Sequence, residues 1–176
     1  MDYQPFWCEE NIWRLTSDAC VGPGERFVLL LTGSSGHVAC WGQRAASSPE
    51  APVLWDYHVV LVVCQDTWTV WDLDCRAGYP LPALMWLGAT FPCPETVRPV
   101  FHPRCLLIPA DEYRTQFTSD RTHMRNIDGS WQQPPPPWPV PHQANGTTLA
   151  TYVTRARDGL NLAALYERLS SRAEPR

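Results

Sequence analysis

Residues 53–74, VLWDYHVVLVVCQDTWTVWDLD, contain two runs of β-branched and aromatic residues that are separated by a short Gln65-Asp66 turn. Such runs are typical of β-strands, and a short polar turn between them is typical of a hairpin. The pattern predicts one strand over residues 53–64 and an antiparallel partner over residues 67–73. We expect this hairpin to form the centre of the fold.

A second hairpin is predicted upstream, where residues 26–32 and 37–41 flank the turn sequence Gly33-Ser34-Ser35-Gly36. We expect the four strands of the two hairpins to lie in one antiparallel sheet. Residues 104–108 have a similar composition and predict a fifth strand.

Helices are predicted around these strands. Residues 9–19 carry two glutamates in the first turn, where carboxylates suit the positive end of the helix dipole. Residues 110–117 predict another helix, and the leucine spacing in residues 160–169 predicts a C-terminal helix that docks on the sheet. Residues 132–141 include four consecutive prolines and predict an extended surface loop.

Length and composition fit one domain over residues 1–176, because a hydrophobic share of 44% is enough to bury a core. Residues 77–103 are rich in proline and glycine and predict irregular structure, with one short helix at residues 83–87. The predicted fold class is α/β or α+β: a single domain with a mainly antiparallel sheet flanked by helices.

Charge and cysteine content narrow the function. A formal net charge of -4 argues against nucleic acid and anionic membranes as partners. The longest apolar run, residues 59–64, is far shorter than the roughly 20 residues that span a bilayer. Residues 1–20 hold no run of signal-peptide length, and the seven cysteines form no C-x-x-C pair. We expect reduced thiols in a cytoplasmic protein, also nuclear in a eukaryotic host.

Cys8 is the candidate nucleophile because it immediately precedes the first predicted helix. A thiol attacks as the thiolate, and a helix N-terminus together with a nearby imidazole lowers the pKa of a thiol. A cysteine is more often a small buried residue of the core. The chemistry therefore depends on a histidine that the fold brings close to Cys8.

His58 is the best placed histidine, because it lies in an apolar strand where a buried imidazole needs a hydrogen-bond partner. The predicted hairpin brings Asp72 or Asp74 beside it, since alternation sends both aspartates to one face of the sheet. Spacing alone does not separate the two aspartates. It also leaves open a structural role in which His58 is bonded near Asp56 or Tyr57.

Four segments, taken in order, resemble the protein N-terminal glutamine amidohydrolase family. They are WCEENIW at 7–13, WDYHVV at 55–60, WDLD at 71–74, and FTSDRTHM at 117–124 with GSW at 129–131 and the prolines at 134–137. The resemblance implies a catalytic triad of Cys8, His58 and Asp72. It also implies a fold similar to papain-like and transglutaminase-like cysteine hydrolases.

The reaction implied by this resemblance is hydrolytic deamidation of the side chain of an N-terminal glutamine, through a thioester on Cys8, with release of ammonia. The implied partners are proteins or peptides with a free N-terminal glutamine. No metal or organic cofactor is needed. In a host with an N-degron pathway, the product glutamate would mark the target for degradation. We expect a monomer, because no pattern demands a partner surface.

Recognition of a free α-ammonium group calls for a carboxylate near the nucleophile. Glu9, Glu10, Asp56 and Asp120 are the candidates, and we favour Glu10 and Asp120. Each also has a plainer explanation, since the glutamates suit the helix dipole and an aspartate can cap a turn. Trp55 is expected to wall the substrate pocket and to exclude water.

Two other functions fit the same residues. Another cysteine acyl-transfer enzyme, such as a peptidase or a transglutaminase, would use the same triad on a different carbonyl, and an open groove would favour it. A non-catalytic peptide-binding module would use the tryptophans and the prolines at 134–137, and would contain no activated thiol. A closed pocket for the substrate's amino terminus would favour the amidase.

Overall fold

The computed structural model describes residues 2–171 as a sheet with helices on both faces. The strands are β1 (Glu25–Gly33), β2 (Val38–Cys40), β3 (Val53–Trp55), β4 (His58–Cys64), β5 (Trp68–Trp71), β6 (Leu81–Pro82), β7 (Pro103–Pro109), β8 (Phe117–Thr118), β9 (Thr147–Thr148) and β10 (Leu160–Asn161). The helices are α1 (Cys8–Leu15), α2 (Ala83–Thr90), α3 (Ala110–Gln116), α4 (Leu149–Arg157) and α5 (Leu162–Ser170).

The main sheet has six strands in the order β10-β7-β1-β4-β5-β6, and every neighbouring pair is antiparallel. Its central strands β1 and β4 are apolar on both faces, as expected for strands that are covered from both sides. Alternate residues of these strands pack against α2 and α5 on one face. The other face packs against α1, α3 and α4. The predicted α+β class with a mainly antiparallel sheet is confirmed.

The predicted hairpin of residues 53–64 and 67–73 is present as β4 and β5, and residues 104–108 form β7, as predicted. One correction concerns residues 53–64, which form two strands instead of one. The strand is interrupted at Asp56 and Tyr57, where Thr32 Oγ1 donates to the Asp56 carbonyl at 2.8 Å. The break sends β3 out of the main sheet, and β4 then begins at His58.

The second predicted hairpin is wrong. β2 pairs with β3 in a separate two-stranded sheet, because β4 and β7 occupy both edges of β1 along most of its length. Gly33 ends β1 where the chain folds tightly back, and a Cβ there would lie 1.8 Å from the His37 carbonyl oxygen. The turn forms as predicted, but the strand that follows it leaves the sheet.

The helices differ from prediction mainly in their bounds. α1 starts at Cys8 itself and stops at Leu15, short of the predicted residue 19. α2 runs to Thr90, three residues beyond the predicted helix at 83–87, and α5 matches the predicted C-terminal helix. α4 was not predicted, although its cap is local: the Thr148 side chain accepts from the Thr151 N–H. No helix within residues 2–171 has the length and apolar character to cross a membrane.

Candidate active site

The site forms where the start of α1, the start of β4 and the end of β5 meet. Ile12 and Leu15 of α1 pack on the face of the sheet that carries Val59 and Leu61, which brings the N-terminus of the helix to the start of β4. β4 and β5 are antiparallel, with Leu61 opposite Trp71, so the residues after β5 return to the level of His58.

His58 and Asp72 form a buried pair. His58 Nε2 lies 2.9 Å from Asp72 Oδ1, and both side chains are 1% exposed. Oδ1 also accepts from the Asp74 N–H at 3.1 Å, while Oδ2 accepts from Gln43 Nε2 at 3.0 Å and Trp86 Nε1 at 2.9 Å. These donors satisfy the buried carboxylate in its charged form.

The electrostatics of the pair favour two opposite charges. Burial works to raise the pKa of Asp72, but His58 and the donors Trp86 and Gln43 more than offset it and hold the pKa below its usual range. Burial works to lower the pKa of His58, and the Asp72 carboxylate reverses this and raises it. His58 Nδ1 is buried and has no hydrogen-bond partner among residues 2–171, so it is the ring atom left for proton transfer.

The two aspartates that spacing could not separate have different partners. Asp72 is bonded to His58, whereas Asp74 accepts a hydrogen bond from the Tyr3 hydroxyl. The prediction that strand alternation sends both aspartates to one face of the sheet is wrong. β5 ends at Trp71, and both aspartates lie beyond it. Burial raises the pKa of the Asp74 carboxyl.

Trp55 covers the histidine. Its ring stacks on His58 with centroids 5.6 Å apart and planes at 11°, and the Phe6 ring packs edge-on against Trp55 at 6.1 Å. This stacking restricts rotation of the His58 ring. The arrangement follows from the break after β3, which folds Trp55 back over the first residue of β4.

Cys8 is the first residue of α1 and is 7% exposed. Burial raises the pKa of its thiol well above the usual value, and the carboxylates of Glu9, Asp74 and Asp72 raise it further, while the Val59 N–H lowers it. This direction is opposite to the one expected from the position of Cys8 at a helix N-terminus. The helix supplies too small a positive charge to offset burial and the neighbouring carboxylates.

A cavity of about 790 Å³ adjoins the nucleophile, and its wall includes Cys8, Trp55, Tyr57, Asp120 and His123. It lies between the start of α1 and the segments around β8 and β9. Cavities of about 300–1,000 Å³ are typical of sites for small ligands. The structure thus brings Cys8, Trp55 and Asp120 to one cavity, as predicted from sequence.

A second polar cluster lies beside Cys8, and sequence reasoning did not identify two of its members, Tyr57 and His123. The Tyr57 hydroxyl donates to Glu9 Oε2 at 3.1 Å and lies 3.0 Å from His123 Nε2. Cys8 Sγ lies 3.8 Å from the same Glu9 oxygen. His123 Nε2 lies 3.4 Å from Glu9 Oε1. Both missed residues fall within the segments that carry the family resemblance, which is the signal that could have indicated them.

Glu10 lies in a different environment from the one predicted. Arg121 Nε donates to its Oε1 at 2.8 Å and Arg121 Nη2 to its Oε2 at 2.7 Å, while Trp138 Nε1 donates to Oε2 at 2.9 Å. Arg121 also donates to the carbonyls of Pro136 and Trp138. The predicted role in binding an ammonium group does not fit, because these donors already occupy both oxygens. Glu10 instead holds the proline loop against α1.

Asp120 forms a turn cap, which is one of its two predicted roles. Its Oδ1 accepts from the Thr122 N–H at 2.9 Å and from Thr122 Oγ1 at 2.8 Å, so it caps a turn, and it also lines the cavity. The Thr122 N–H and hydroxyl lower the pKa of the Asp120 carboxyl. Its contact with substrate stays a prediction.

One group of side chains has the spacing of a candidate metal site: ligand atoms of His58, Asp72 and Asp74 lie within 4.8 Å of one another. His58 and Asp72 bond to each other and Asp74 accepts from Tyr3, so a hydrogen-bond network already accounts for all three. That no metal or organic cofactor takes part stays a prediction. All seven cysteines are free thiols, and five of them are buried.

Comparison with known proteins supplies the family. A sequence model described as N-terminal glutamine amidase matches residues 3–168. The chain belongs to the N-terminal glutamine amidase family. Proteins named protein N-terminal glutamine amidohydrolase from Drosophila grimshawi and Drosophila melanogaster are each 34% identical to this chain over 143 residues, which cover 78% of this chain and 70% of each relative.

Membership of the N-terminal glutamine amidase family confirms the resemblance inferred from the four sequence segments. The matched range contains the whole site, from Cys8 through the His58–Asp72 pair to the cluster at His123. The clamp between Glu10 and Arg121 also lies inside it. The site of this family member therefore combines two features. The buried Cys8 thiol shares the site with the charged His58–Asp72 pair, and the second polar cluster around Glu9 lies beside the same thiol.

Proposed function

We propose that this member of the N-terminal glutamine amidase family hydrolyses the side-chain amide of an N-terminal glutamine to give N-terminal glutamate and ammonia. The observation that carries the proposal is a buried cysteine at a helix N-terminus, in one site with a buried His58–Asp72 pair and a cavity of about 790 Å³. The relatives whose names specify this activity support the choice of substrate.

In the first half of the proposed reaction, His58 Nδ1 takes the proton of the Cys8 thiol as the sulfur attacks the side-chain carbonyl carbon. A carbon–sulfur bond forms. The imidazolium then gives the same proton to the leaving nitrogen, the carbon–nitrogen bond breaks, and ammonia departs. A thioester on Cys8 remains. The raised pKa of the thiol makes transfer to His58 during attack the necessary activating step.

In the second half, His58 takes a proton from water as the water oxygen attacks the thioester carbon. The carbon–sulfur bond breaks, His58 gives its proton to the sulfur, and the product acid loses the second water proton to solvent and leaves with a side-chain carboxylate. Asp72 orients the ring through Nε2 and stabilises the imidazolium in both halves. Its low pKa supports a role as a fixed negative charge that does not itself accept the proton.

Trp55 and Asp120 have supporting roles in this proposal. Trp55 limits rotation of the His58 ring and covers it from water, as the stacked geometry favours. Asp120 presents a carboxylate on the cavity wall, where a peptide could contact it. Its hydrogen bonds to Thr122 hold the carboxylate in place.

The cellular context is proposed on chemical grounds. A catalytic thiol that must stay reduced fits a cytoplasmic location, or a nuclear and cytoplasmic one in a eukaryotic host. In a host with an N-degron pathway, the product glutamate would direct the substrate protein to degradation. A monomer is sufficient for the proposed chemistry, because every group it uses belongs to one chain.

Ammonia release from matched peptides tests the reaction. We expect release from a peptide beginning with glutamine, and none from peptides beginning with asparagine or acetylated glutamine. Cys8→Ala should lower the rate by at least about 10⁴-fold, as for the loss of other covalent nucleophiles. Cys93→Ala is the control, because Cys93 is an exposed thiol outside the cavity. If the folded wild type released no ammonia from any of the peptides, the amidase proposal would be abandoned.

The same peptides distinguish the alternatives. A peptidase would cleave the peptide backbone, and a transglutaminase would form an amide between an internal glutamine and an added amine. A binding module would hold the peptide without any reaction. Mass spectrometry of the products separates these outcomes.

A further inference from the structure

We propose that the Glu9 carboxylate receives the α-ammonium group of the substrate, and that this contact both selects a free chain terminus and makes Cys8 reactive. The inference rests on the proposed function, since it assigns the residue that recognises the substrate of that reaction.

The first support is an unsatisfied charge. The Glu9 side chain is 0% exposed, and its Oε1 is buried without a hydrogen-bond donor among residues 2–171. A buried carboxylate is costly unless hydrogen bonds and a cation compensate it. Asp72 and Glu10 have such compensation from several donors each. Glu9 has less: the Tyr57 hydroxyl and the Cys8 thiol donate to Oε2, and within the described residues Oε1 has only the His123 ring at 3.4 Å, so a cationic ligand would supply what the protein does not.

The second support is position. Glu9 Oε2 lies 3.8 Å from Cys8 Sγ, and in a glutamine residue only three bonds separate the α-carbon from the side-chain carbonyl carbon. A substrate whose carbonyl carbon contacts the sulfur can therefore reach Glu9 with its ammonium group. Among the candidate carboxylates, Glu10 is fully bonded to Arg121 and Trp138. Asp120 is exposed to solvent and already caps a turn.

The third support is the cover over Glu9. Tyr57 and His123 line the cavity and both contact the Glu9 carboxylate, with His123 Nε2 3.4 Å from Oε1 and the His123 side chain 29% exposed. His123 is the basic side chain within ion-pairing distance of Glu9 in the described part of the chain. We infer that the ammonium group takes the place of this ring beside Oε1, while Tyr57 keeps its hydrogen bond to Oε2.

An ammonium group beside Glu9 Oε1 also changes the reactivity of Cys8. After burial itself, the Glu9 carboxylate is the largest cause of the raised pKa of the Cys8 thiol, and it lies 3.8 Å from the sulfur. A cation beside Glu9 offsets that effect and favours the thiolate. The proposed contact is with Glu9 and not with the other ionisable groups around Cys8. Those groups are Asp72 and Asp74 after β5, Tyr3, Tyr57 and His58 beside the sheet, and Tyr113 of α3. The enzyme would thus hold its thiol unreactive until a free amino terminus binds.

Binding to the Cys8→Ala protein tests the inference without chemistry. The probes are a peptide that begins with glutamine and one whose first residue is 4-carbamoylbutanoyl, which lacks only the α-amine. We expect the amine to strengthen binding by about 100-fold, the order of magnitude of a buried charge contact. In Cys8→Ala with Glu9→Gln the two probes should bind equally. Glu112→Gln, an exposed glutamate of α3 outside the cavity, should keep the full difference.

Two further measurements separate recognition from a structural role. Glu9→Asp keeps the charge and should retain part of the preference for the amine, whereas a merely structural Glu9 would lose folding in both variants. In otherwise wild-type protein, Glu9→Gln should shift the pH profile of Cys8 alkylation to lower pH. An unchanged profile would contradict the effect on the nucleophile.

The outcomes also separate this inference from the proposed reaction. Ammonia release by the wild type, with the same preference for the amine in Glu9→Gln, would overturn the inference and leave the reaction intact. Transfer of the preference to Asp120, seen as its loss in Asp120→Asn alone, would overturn it as well. A preference that depends on Glu9 in a protein that releases no ammonia would support the inference and count against the reaction.

Discussion

The carboxylates of Asp72 and Glu9 lie in one site and are both buried, but their surroundings differ. Asp72 accepts hydrogen bonds from His58, Gln43 and Trp86 and from the backbone. Glu9 has one buried oxygen without a donor in the described residues. A carboxylate whose oxygens all have hydrogen-bond donors can hold a neighbour in place but has no oxygen left for a ligand. A carboxylate with an oxygen that lacks a donor can still accept a partner. The first therefore suits orientation of the histidine, and the second suits recognition of a cation.

Glu10 follows Glu9 directly, and yet its surroundings resemble those of Asp72. Arg121 and Trp138 occupy both of its oxygens, and the same arginine holds the carbonyls of the proline loop. Consecutive residues of a helix point about 100° apart, so Glu9 and Glu10 enter different environments. This difference favours Glu9 over Glu10 as the ligand of a cation, the reverse of the expectation from sequence.

The largest expected effect is at Asp72, the carboxylate whose oxygens all have hydrogen-bond donors. Asp72→Asn removes the charge that stabilises the His58 imidazolium and turns one oxygen into a donor that faces other donors. We expect the rate of ammonia release to fall by about 10⁴-fold, as when the acid of a comparable triad is replaced by its amide. Kinetics on protein shown to be folded by circular dichroism would check this.

Asp74→Asn is the matched control for that prediction, because Asp74 is bonded to Tyr3 instead of His58. Its rate should change by less than about tenfold. Equal losses in the two variants would mean that orientation of His58 is not the property that distinguishes Asp72.

A second prediction concerns the ion pair between Arg121 and Glu10. Arg121→Ala leaves the buried Glu10 carboxylate without its partner, which typically costs about 3–5 kcal/mol of the free energy of unfolding. Urea unfolding measures this loss. Arg125→Ala, which removes an exposed arginine of the same segment, should cost no more than about 0.5 kcal/mol. A loss of similar size in both variants would show that Glu10 is not held by Arg121 in the way its geometry implies.

The smallest expected effect is the pH dependence of stability from the His58–Asp72 pair. The folded pKa of His58 is raised, so its contribution is fully present below the unfolded value of about 6.5 and is lost as the pH rises through the folded pKa. The difference in free energy of unfolding between the wild type and His58→Gln should therefore be larger at about pH 6 than at about pH 9. A difference independent of pH would contradict the assigned charge state.

Local signals explain which elements could be predicted. The hairpin of β4 and β5 depends on β-branched residues and a two-residue turn, and the start of α1 depends on acidic residues in one turn. Both lie close to where they were expected. The pairing of β2 with β3 could not be predicted, because it depends on β7, which is distant in sequence and takes the free edge of β1.

Local sequence is enough to predict the α+β class, the family, and Cys8, His58 and Asp72 as candidates, because strand composition, turn chemistry and four ordered segments are local properties of the chain. Only the tertiary structure shows that the interruption at residues 56–57 brings Trp55 over the histidine, and that Glu9 and Glu10 have different partners. The physical reason is that hydrogen bonds and burial join residues up to 128 positions apart, as between Glu10 and Trp138, and no local pattern encodes such contacts.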